Sequence, residues 1–249
     1  MKYLFVTFSL LLVFLVSCTP TAYQLQSSKV VFIETKDTLA DDKEVAQMIE
    51  PYKKQLDAQM NQVIGYAEKE IATNRRANET LLGNLVVDMI SEKARKTSKT
   101  KIDFAFVTFG GLRASIPAGA IKKGDIFELM PFENELVVLE VDGKVIKKIF
   151  EYMVSVRNMA ISNSKIFIEG GKIREVLIDD EPIDESKTYF IATSDYLANG
   201  GDNLHFLKER KSMTFLNAKF RDLIIESIEE THKKGKKINV EIGGRVQER

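Results

Sequence analysis

Hydrophobic residues along the chain switch repeatedly between the spacing typical of helices and that typical of strands. Three segments carry apolar residues three or four positions apart, which predicts helices over residues 43 to about 70, 144–156 and 217–234. In the first of them, Pro51 and Gly65 indicate a kink or breaks. A further helix is predicted from Asn78, a favourable N-cap, to about Lys96, with Glu79 in its first turn. Its apolar residues form two rows, so we expect both of its faces to be buried.

Short apolar runs bounded by turn residues predict the strands. One run, residues 30–33, fits a strand or an extended lead-in. The others cover residues 102–108, 126–129, 136–141, 165–168, 173–178, 189–192 and 240–242. Asp142-Gly143 is expected to form the turn after one strand, and Gly170-Gly171 to join two others in a hairpin. Because strands and helices alternate without a strict order, we predict one layered α/β (α+β) domain with mixed β-sheets and flanking helices over residues 29–249.

The start of the chain has the pattern of a secretory signal peptide. Lys2 precedes an apolar run over residues 3–16, which falls short of the roughly 20 residues that cross a bilayer. The run ends in Leu15-Val16-Ser17-Cys18, which resembles a bacterial lipobox. This resemblance implies that residues 1–17 are removed and that Cys18 is acylated; the alternative is a buried apolar helix with an inert thiol.

Lipidation of Cys18 would attach the protein to a membrane outside the cytoplasm. Residues 18–28 are mostly polar and contain Pro20, as expected of a tether. Thr19 follows the lipobox cysteine. A residue other than aspartate at this position resembles the outer-membrane sorting signal of Gram-negative lipoproteins. We therefore expect a lipid-anchored protein of the bacterial outer membrane that faces the periplasm.

Composition and charge narrow the possible functions. Equal numbers of basic and acidic residues, 36 each, argue against binding to nucleic acid, which requires a basic excess. The single cysteine excludes an intrachain disulfide and a thiolate metal cluster. Two histidines are too few for a dinuclear metallohydrolase site, so no metal is expected in this chain.

Three loops next to predicted strands combine glycine or proline with polar and aromatic residues. They are Thr108-Phe109-Gly110-Gly111-Leu112-Arg113, Met130-Pro131-Phe132-Glu133-Asn134 and Tyr196-Leu197-Ala198-Asn199-Gly200-Gly201-Asp202-Asn203. Paired glycines let a backbone approach a ligand closely, and an arginine fork suits phosphate. Taken singly, each loop is also compatible with ordinary turn chemistry and an inward-packed aromatic ring.

The order and spacing of these loops resemble the C-terminal, substrate-recognising domain of the 5'-nucleotidase and UDP-sugar hydrolase family. A fourth match is the segment Glu79-Thr80-Leu81-Leu82-Gly83-Asn84-Leu85, followed by Asp88. The resemblance runs from about residue 43 to residue 221 and implies the fold of that domain.

The resemblance also implies roles for individual residues. Phe132 and Tyr196 would clamp the nucleobase, and Asn134 would contact its edge. Asp202 would accept hydrogen bonds from the ribose hydroxyls, beside the glycine pairs of the two loops, Gly110, Gly111, Gly200 and Gly201. Arg113 would direct the phosphate, as would Arg76. Stacking on aromatic rings stabilises a bound base by about 1–3 kcal/mol and tolerates different bases.

The chain departs from the family pattern at several positions. Thr108 replaces an asparagine, Tyr196 replaces a phenylalanine, and Asn203-Leu204 replaces a glycine and an aromatic residue. These changes affect the expected base specificity. Family members also carry an N-terminal calcineurin-like domain with two metals, and no match to it precedes the matched region.

Three functions follow from the resemblance. The first is one half of a split 5'-nucleotidase: this chain would recognise a nucleotide or nucleoside such as AMP or adenosine. A separate metallophosphatase chain would supply the divalent metals, and this chain alone would be inactive. The alternative is a non-catalytic nucleotide-binding lipoprotein. A scaffold whose pocket has decayed is a third possibility.

Several other residues admit two interpretations. Asn84 and Asp88, four apart on a helix, either border the site or pair locally. His205 near the third loop is a ligand or an ordinary packed or surface residue. The lysines of residues 233–237 contact anionic lipid or complement a helix end. Residues 50–62 are either a remnant of the family's interdomain helix or a surface helix.

Overall fold

A computed structural model describes residues 25–34, 39–72 and 77–249. The predicted signal peptide, Cys18 and Arg76 lie outside the described residues, so these predictions stay untested, as do the predicted domain boundaries. Residues 25–34 are exposed and have no regular structure, so the strand alternative for residues 30–33 is wrong. No helix in the described part of the chain is long and apolar enough to cross a bilayer. The chain divides into two units, Met1–Met48 and Ile49–Arg249.

The first helix is shorter than its apolar pattern predicts. Helix α1, Lys43–Met60, contains Pro51 without ending there and buries none of its residues. The prediction that it continues to about residue 70 is wrong, because Val63–Ala67 forms strand β1 and pairs antiparallel with strand β3, Gly119–Lys122. Gly65 lies in that strand, where a Cβ atom would come within 2.5 Å of Ile228 Cγ2. Close packing of β1 on a helix therefore explains this glycine.

A five-stranded mixed sheet forms the centre of the second unit. Its strand order is β10-β4-β9-β2-β5. The strands are β2, Phe104–Thr108; β4, Glu135–Asp142; β5, Met159–Ser162; β9, Thr188–Ser194; and β10, Ser212–Lys219. Strands β2 and β9 run parallel, and the other pairs are antiparallel.

Both faces of β4, β9, β2 and β5 are largely buried, whereas β10 at the edge has no buried residue. Alternate residues of a strand point to opposite sides, so each strand contributes to two cores. On β2, Ala105 and Val107 belong to one hydrophobic core, and Phe104 and Phe106 belong to the other. The first core lies under α2, Leu81–Thr97, and α6, Phe220–Lys233. The second lies under α4, Gly143–Val156. The predicted mixed α/β architecture with flanking helices is confirmed.

A second, four-stranded sheet completes the layer below α4, with the order β11-β6-β7-β8. Its strands are β6, Ser164–Glu169; β7, Lys172–Ile178; β8, Glu181–Pro182; and β11, Val246–Glu248. The predicted hairpin is present, with Gly170 and Gly171 at φ of 56° and 75° in the turn. The strand predicted at residues 240–242 is absent, and β11 lies further along the chain.

Two local predictions fail for reasons of helix capping. Residues 126–129, predicted as a strand, belong to helix α3, Lys123–Leu129, in which the Asp125 carboxylate accepts a hydrogen bond from the Lys122 backbone N–H at 2.7 Å. Helix α2 is capped by Thr80, whose hydroxyl accepts from the Gly83 N–H at 3.0 Å, and Asn78 is not its N-cap. Its two apolar rows are buried or half-buried, as predicted.

Glu79, Asn84 and Asp88 hold the segment that leads to β11. The Glu79 carboxylate accepts hydrogen bonds from Asn84 and from the backbone N–H groups of Gly243 and Arg245, at 2.7–2.8 Å. Asp88 forms a bidentate ion pair with Arg245, at 2.6 and 2.8 Å. Only the bond from Asn84 to Glu79 is local. Asp88 pairs with a residue 157 positions away, and the Asn84 amide also donates to the Glu241 carbonyl at 3.1 Å, so both residues hold distant segments together.

Candidate functional site

The direction of three neighbouring strands brings the three predicted loops to one edge of the central sheet. Strands β2 and β9 end there at Thr108 and Ser194, and β4 begins there at Glu135. The first loop follows β2, the third loop follows β9 as the short helix α5, Asp195–Ala198, and the second loop precedes β4. Ligand sites of α/β sheets commonly lie beyond the carboxyl ends of parallel strands. A ligand site is therefore expected at this edge of the sheet.

The loops surround a cavity of about 310 Å³. Seven of the residues predicted from the resemblance line it, namely Gly110, Gly111, Arg113, Phe132, Asn134, Tyr196 and Asp202. Gly200 and Gly201 do not line the cavity. These two glycines instead shape the third loop.

The two aromatic rings are available to a ligand. Phe132 is 41% exposed and Tyr196 is 51% exposed, although both line the same cavity. The Tyr196 ring lies directly against Gly201, where a Cβ atom would be 2.4 Å from Cε1 of the ring. Gly200 adopts a φ of 95°, a conformation that disfavours any residue with a side chain. The glycine pair therefore gives Tyr196 its place.

Asp202 is bonded to hydroxyl groups on both carboxylate oxygens. The Thr108 hydroxyl donates to Oδ2 at 2.6 Å, and the Tyr196 hydroxyl donates to Oδ1 at 3.0 Å. The backbone N–H of Asp202 also donates to the Tyr196 hydroxyl, at 3.2 Å. Thr108 and the Tyr196 hydroxyl are two of the departures from the family pattern, and they meet on one carboxylate. The role of Thr108 could not be read from the sequence, because Asp202 lies 94 positions away.

Tyr152 fixes the backbone at the same point. Its hydroxyl donates to the Asp202 carbonyl at 2.7 Å, where Asp202 has a φ of 50°. Burial raises the pKa of Tyr152, and the nearby Asp202 carboxylate adds to that effect, so the hydroxyl keeps its proton. This bond stabilises a left-handed conformation that is otherwise uncommon for aspartate.

The second loop is anchored by Glu133, which neighbours Phe132. Its carboxylate forms ion pairs with Lys219 and Arg221. The Arg221 guanidinium is nearly buried and lies 4.2 Å from the centre of the Phe127 ring. Hydrogen bonds from Lys219 and Arg221 hold the pKa of Glu133 below its usual value. The loop that carries Phe132 and Asn134 is thereby fastened to the start of α6.

Replacement of Glu133 by glutamine should make stability less dependent on pH. Because folding lowers the pKa of Glu133, its ion pairs stabilise the fold above the unfolded-state pKa of about 4.3, and this contribution disappears as pH falls through the lower folded-state value. We expect Glu133→Gln to have the lower melting temperature at pH 7, with the difference between the two proteins shrinking as pH falls below the unfolded-state pKa of about 4.3. Thermal unfolding from pH 3 to 7 measures this.

Glu128→Gln is the matched control for that experiment. Glu128 is exposed and makes no ion pair within the described ranges, so its variant should follow the wild type at every pH. A constant difference between wild type and Glu133→Gln down to pH 3 would contradict the role of the Glu133 ion pairs.

Arg113 and Asn134 present polar groups to the cavity. The Arg113 guanidinium is exposed and makes one long hydrogen bond, to the Gly110 carbonyl at 3.4 Å. Its backbone is fixed, because the Arg113 N–H donates to the Leu129 carbonyl at 2.8 Å. Within the described ranges, the side-chain amide of Asn134 has no hydrogen-bond partner. A cation and an amide are thus available on opposite loops.

Two other features, a second cavity and His205, are weaker candidates for a ligand site. A larger cavity of about 670 Å³ lies between α4 and β7, with walls that are largely apolar and none of the predicted residues. His205 is exposed and only packs beside Gly200. In the described part of the chain, no group of three histidine, cysteine, aspartate or glutamate residues could hold a metal ion. We regard the 310 Å³ cavity as the candidate site.

Known proteins resemble this chain over most of its length. A family model described as "5'-nucleotidase, C-terminal domain" matches residues 63–209. The chain is 28% identical over 244 residues to the trifunctional nucleotide phosphoesterase protein YfkN of Bacillus subtilis, covering 90% of this chain and 16% of that protein. It is 27% identical over 195 residues to protein UshA of Escherichia coli, covering 74% of this chain and 34% of UshA.

Solved structures give the same result. A 5'-nucleotidase precursor from Thermus thermophilus superimposes with a TM-score of 0.71 at 27% identity, over 84% of this chain and 44% of that one. The NAD nucleotidase of Haemophilus influenzae, at 18% identity and a TM-score of 0.62, shares the fold. The chain therefore spans less than half the length of each of these proteins.

Proposed function

We propose a function on the basis that the chain belongs to the family of 5'-nucleotidase C-terminal domains. The cavity binds a nucleotide or nucleoside such as AMP or adenosine. One observation carries the proposal: two exposed aromatic rings, a carboxylate and an exposed guanidinium from three separate loops line one cavity of about 310 Å³. A nucleotide offers a flat base, a sugar with hydroxyl groups and an anionic phosphate. Each of these has a chemically suitable partner here.

The base would stack on Phe132 and Tyr196, with its polar edge toward the amide of Asn134. Asp202 would face the sugar, and Arg113 would bind the phosphate through a charge-assisted hydrogen bond. Because stacking tolerates different bases and only one amide is available to the base edge, we expect discrimination among bases to be weak. Gly110 and Gly111 leave the ligand room beside the first loop.

For the reaction, we propose that a separate metallophosphatase chain supplies the metals and the attacking water. The relatives named above are longer than this chain, and two-metal hydrolysis requires ligands for both ions. This chain would hold the nucleoside part and orient the phosphate through Arg113. We further propose that acylation of Cys18 attaches the protein to the bacterial membrane, in the periplasm, where such a partner would meet it.

Titration calorimetry with AMP, adenosine and ribose 5-phosphate tests the binding step. We expect dissociation constants between about 10 μM and 1 mM for AMP and adenosine, and weaker binding of ribose 5-phosphate, which lacks the base. Equal binding of all three ligands would contradict the base clamp.

The second test first asks whether the adjoining reading frame encodes a secreted metallophosphatase, and then mixes that protein with this chain, AMP and a divalent metal. Phosphate release should exceed that of the metallophosphatase alone, and Arg113→Ala should reduce the gain. Binding of AMP without any gain in phosphate release would favour the non-catalytic nucleotide-binding lipoprotein.

A further inference from the structure

The hydroxyl groups of Thr108 and Tyr196 both bond to Asp202, the carboxylate that would face the sugar. One hydroxyl donates to each carboxylate oxygen, at 2.6 and 3.0 Å. An ionised carboxylate can only accept hydrogen bonds, so both hydroxyl protons point toward Asp202. The carboxylate therefore has a protein donor on each oxygen before any ligand arrives.

This arrangement changes what the loss of a sugar hydroxyl costs. A site rejects an analogue without a hydroxyl mainly because a protein group is then left without a partner in a space closed to water. In this cavity neither oxygen of Asp202 is left bare, since Thr108 and Tyr196 remain bonded to it. A ribose hydroxyl would only add a further donor to an already paired carboxylate.

We infer that Thr108 and the Tyr196 hydroxyl set the sugar specificity of the site, so that it accepts ribonucleotides and deoxyribonucleotides with similar affinity. The inference rests on the proposed function. Thr108 and Tyr196 act here through Asp202 as positioning residues, and the Tyr196 ring keeps its separate role in stacking. The Tyr196 hydroxyl both donates and accepts, because it also accepts a hydrogen bond from the Asp202 N–H at 3.2 Å.

The test compares AMP with 2',3'-dideoxyadenosine monophosphate, which lacks both ribose hydroxyls. Calorimetry on the wild-type protein should give dissociation constants that differ by less than about fivefold, because no carboxylate oxygen loses its only donor. Tyr196→Phe keeps the ring and removes one donor, and Thr108→Val removes the other at nearly equal volume. In each variant the preference for AMP should rise several-fold above the wild-type value. The ribose hydroxyl then supplies the donor that the carboxylate has lost, and water offsets part of this effect because Asp202 is only half-buried.

Thr108→Ser is the conservative variant: it retains the hydroxyl, so it should restore the weak preference for AMP that Thr108→Val loses. Melting temperatures of all variants show that the fold is intact. A wild-type preference for AMP of about fivefold or more, or a preference that Tyr196→Phe and Thr108→Val leave unchanged, overturns the inference while nucleotide binding stands. If AMP does not bind at all, the proposed function fails and the inference fails with it.

Discussion

Replacing Phe132 by alanine should weaken AMP binding by about 10- to 100-fold, because a stacked base loses about 1–3 kcal/mol with its aromatic partner. Tyr196→Ala should have an effect of similar size. Phe132 is 41% exposed at the cavity and its side chain supports little else, so the variant should fold normally. Titration calorimetry with AMP measures the loss. Ribose 5-phosphate, which has no base to stack, should bind the variant and the wild type equally.

Phe215→Ala provides a matched control for that experiment. Phe215 is 43% exposed, almost as much as Phe132, but it lies on β10 and does not line the cavity. Its replacement should leave the AMP dissociation constant within about twofold of the wild type, as expected for a surface change away from the site. Unchanged AMP affinity in both Phe132→Ala and Tyr196→Ala would show that the cavity is not a base clamp.

Gly201→Ala should weaken ligand binding although Gly201 does not line the cavity. A methyl group at this position would lie 2.4–2.6 Å from three atoms of the Tyr196 ring, closer than real contacts allow. The ring must therefore move, and its hydroxyl leaves Asp202. We expect AMP binding to weaken at least about tenfold and the free energy of unfolding to fall by about 1–3 kcal/mol, as for other overpacked sites. Calorimetry and urea denaturation measure the two effects.

A double-mutant cycle separates this mechanism from general damage to the loop. In Tyr196→Ala the space beside Gly201 is open, so adding Gly201→Ala should cost little more. Gly243→Ala, where the nearest atom lies 3.5 Å from the added carbon, serves as the control and should change neither quantity. Fully additive effects of Tyr196→Ala and Gly201→Ala would contradict the proposed contact.

Periodicity predicted the buried elements of the fold better than the exposed ones. Helices α2, α4 and α6 and strands β2, β4 and β9 follow the predicted segments, because each presents apolar residues to a core. Strand β10 lies at the edge of its sheet with alternating exposed residues, so its sequence carries a weak signal. Val63–Ala67 continues the apolar spacing of α1, and only its pairing with β3 makes it a strand.

Helix α1 shows that apolar periodicity can predict a helix without predicting its burial. Its spacing predicts a helix correctly, yet Met48, Tyr52 and Leu56 are all more than half exposed. Spacing reports which residues share a face and does not report what covers that face. The alternative of a surface helix for residues 50–62 therefore agrees with their exposure.

The site was predictable as a set of residues but not as a network. The four-part resemblance identified the residues of three distant loops, and seven of them line one cavity. The hydrogen bonds to Asp202 from Thr108 at the end of β2 and from Tyr152 in α4 depend on the relative position of chain segments far apart in sequence. The anchoring of Glu133 by Lys219 and Arg221 depends on the same kind of long-range arrangement.

The cavity walls rise from the adjacent strands β4, β9 and β2, and neighbouring strands keep a separation of about 4.8 Å. The sheet therefore fixes the spacing of the points from which the three lining loops start. Engineering of ligand preference should accordingly proceed by exchanging side chains at fixed backbone positions. A small library at Phe132, Asn134 and Tyr196 would sample most of the shapes that this frame can accept.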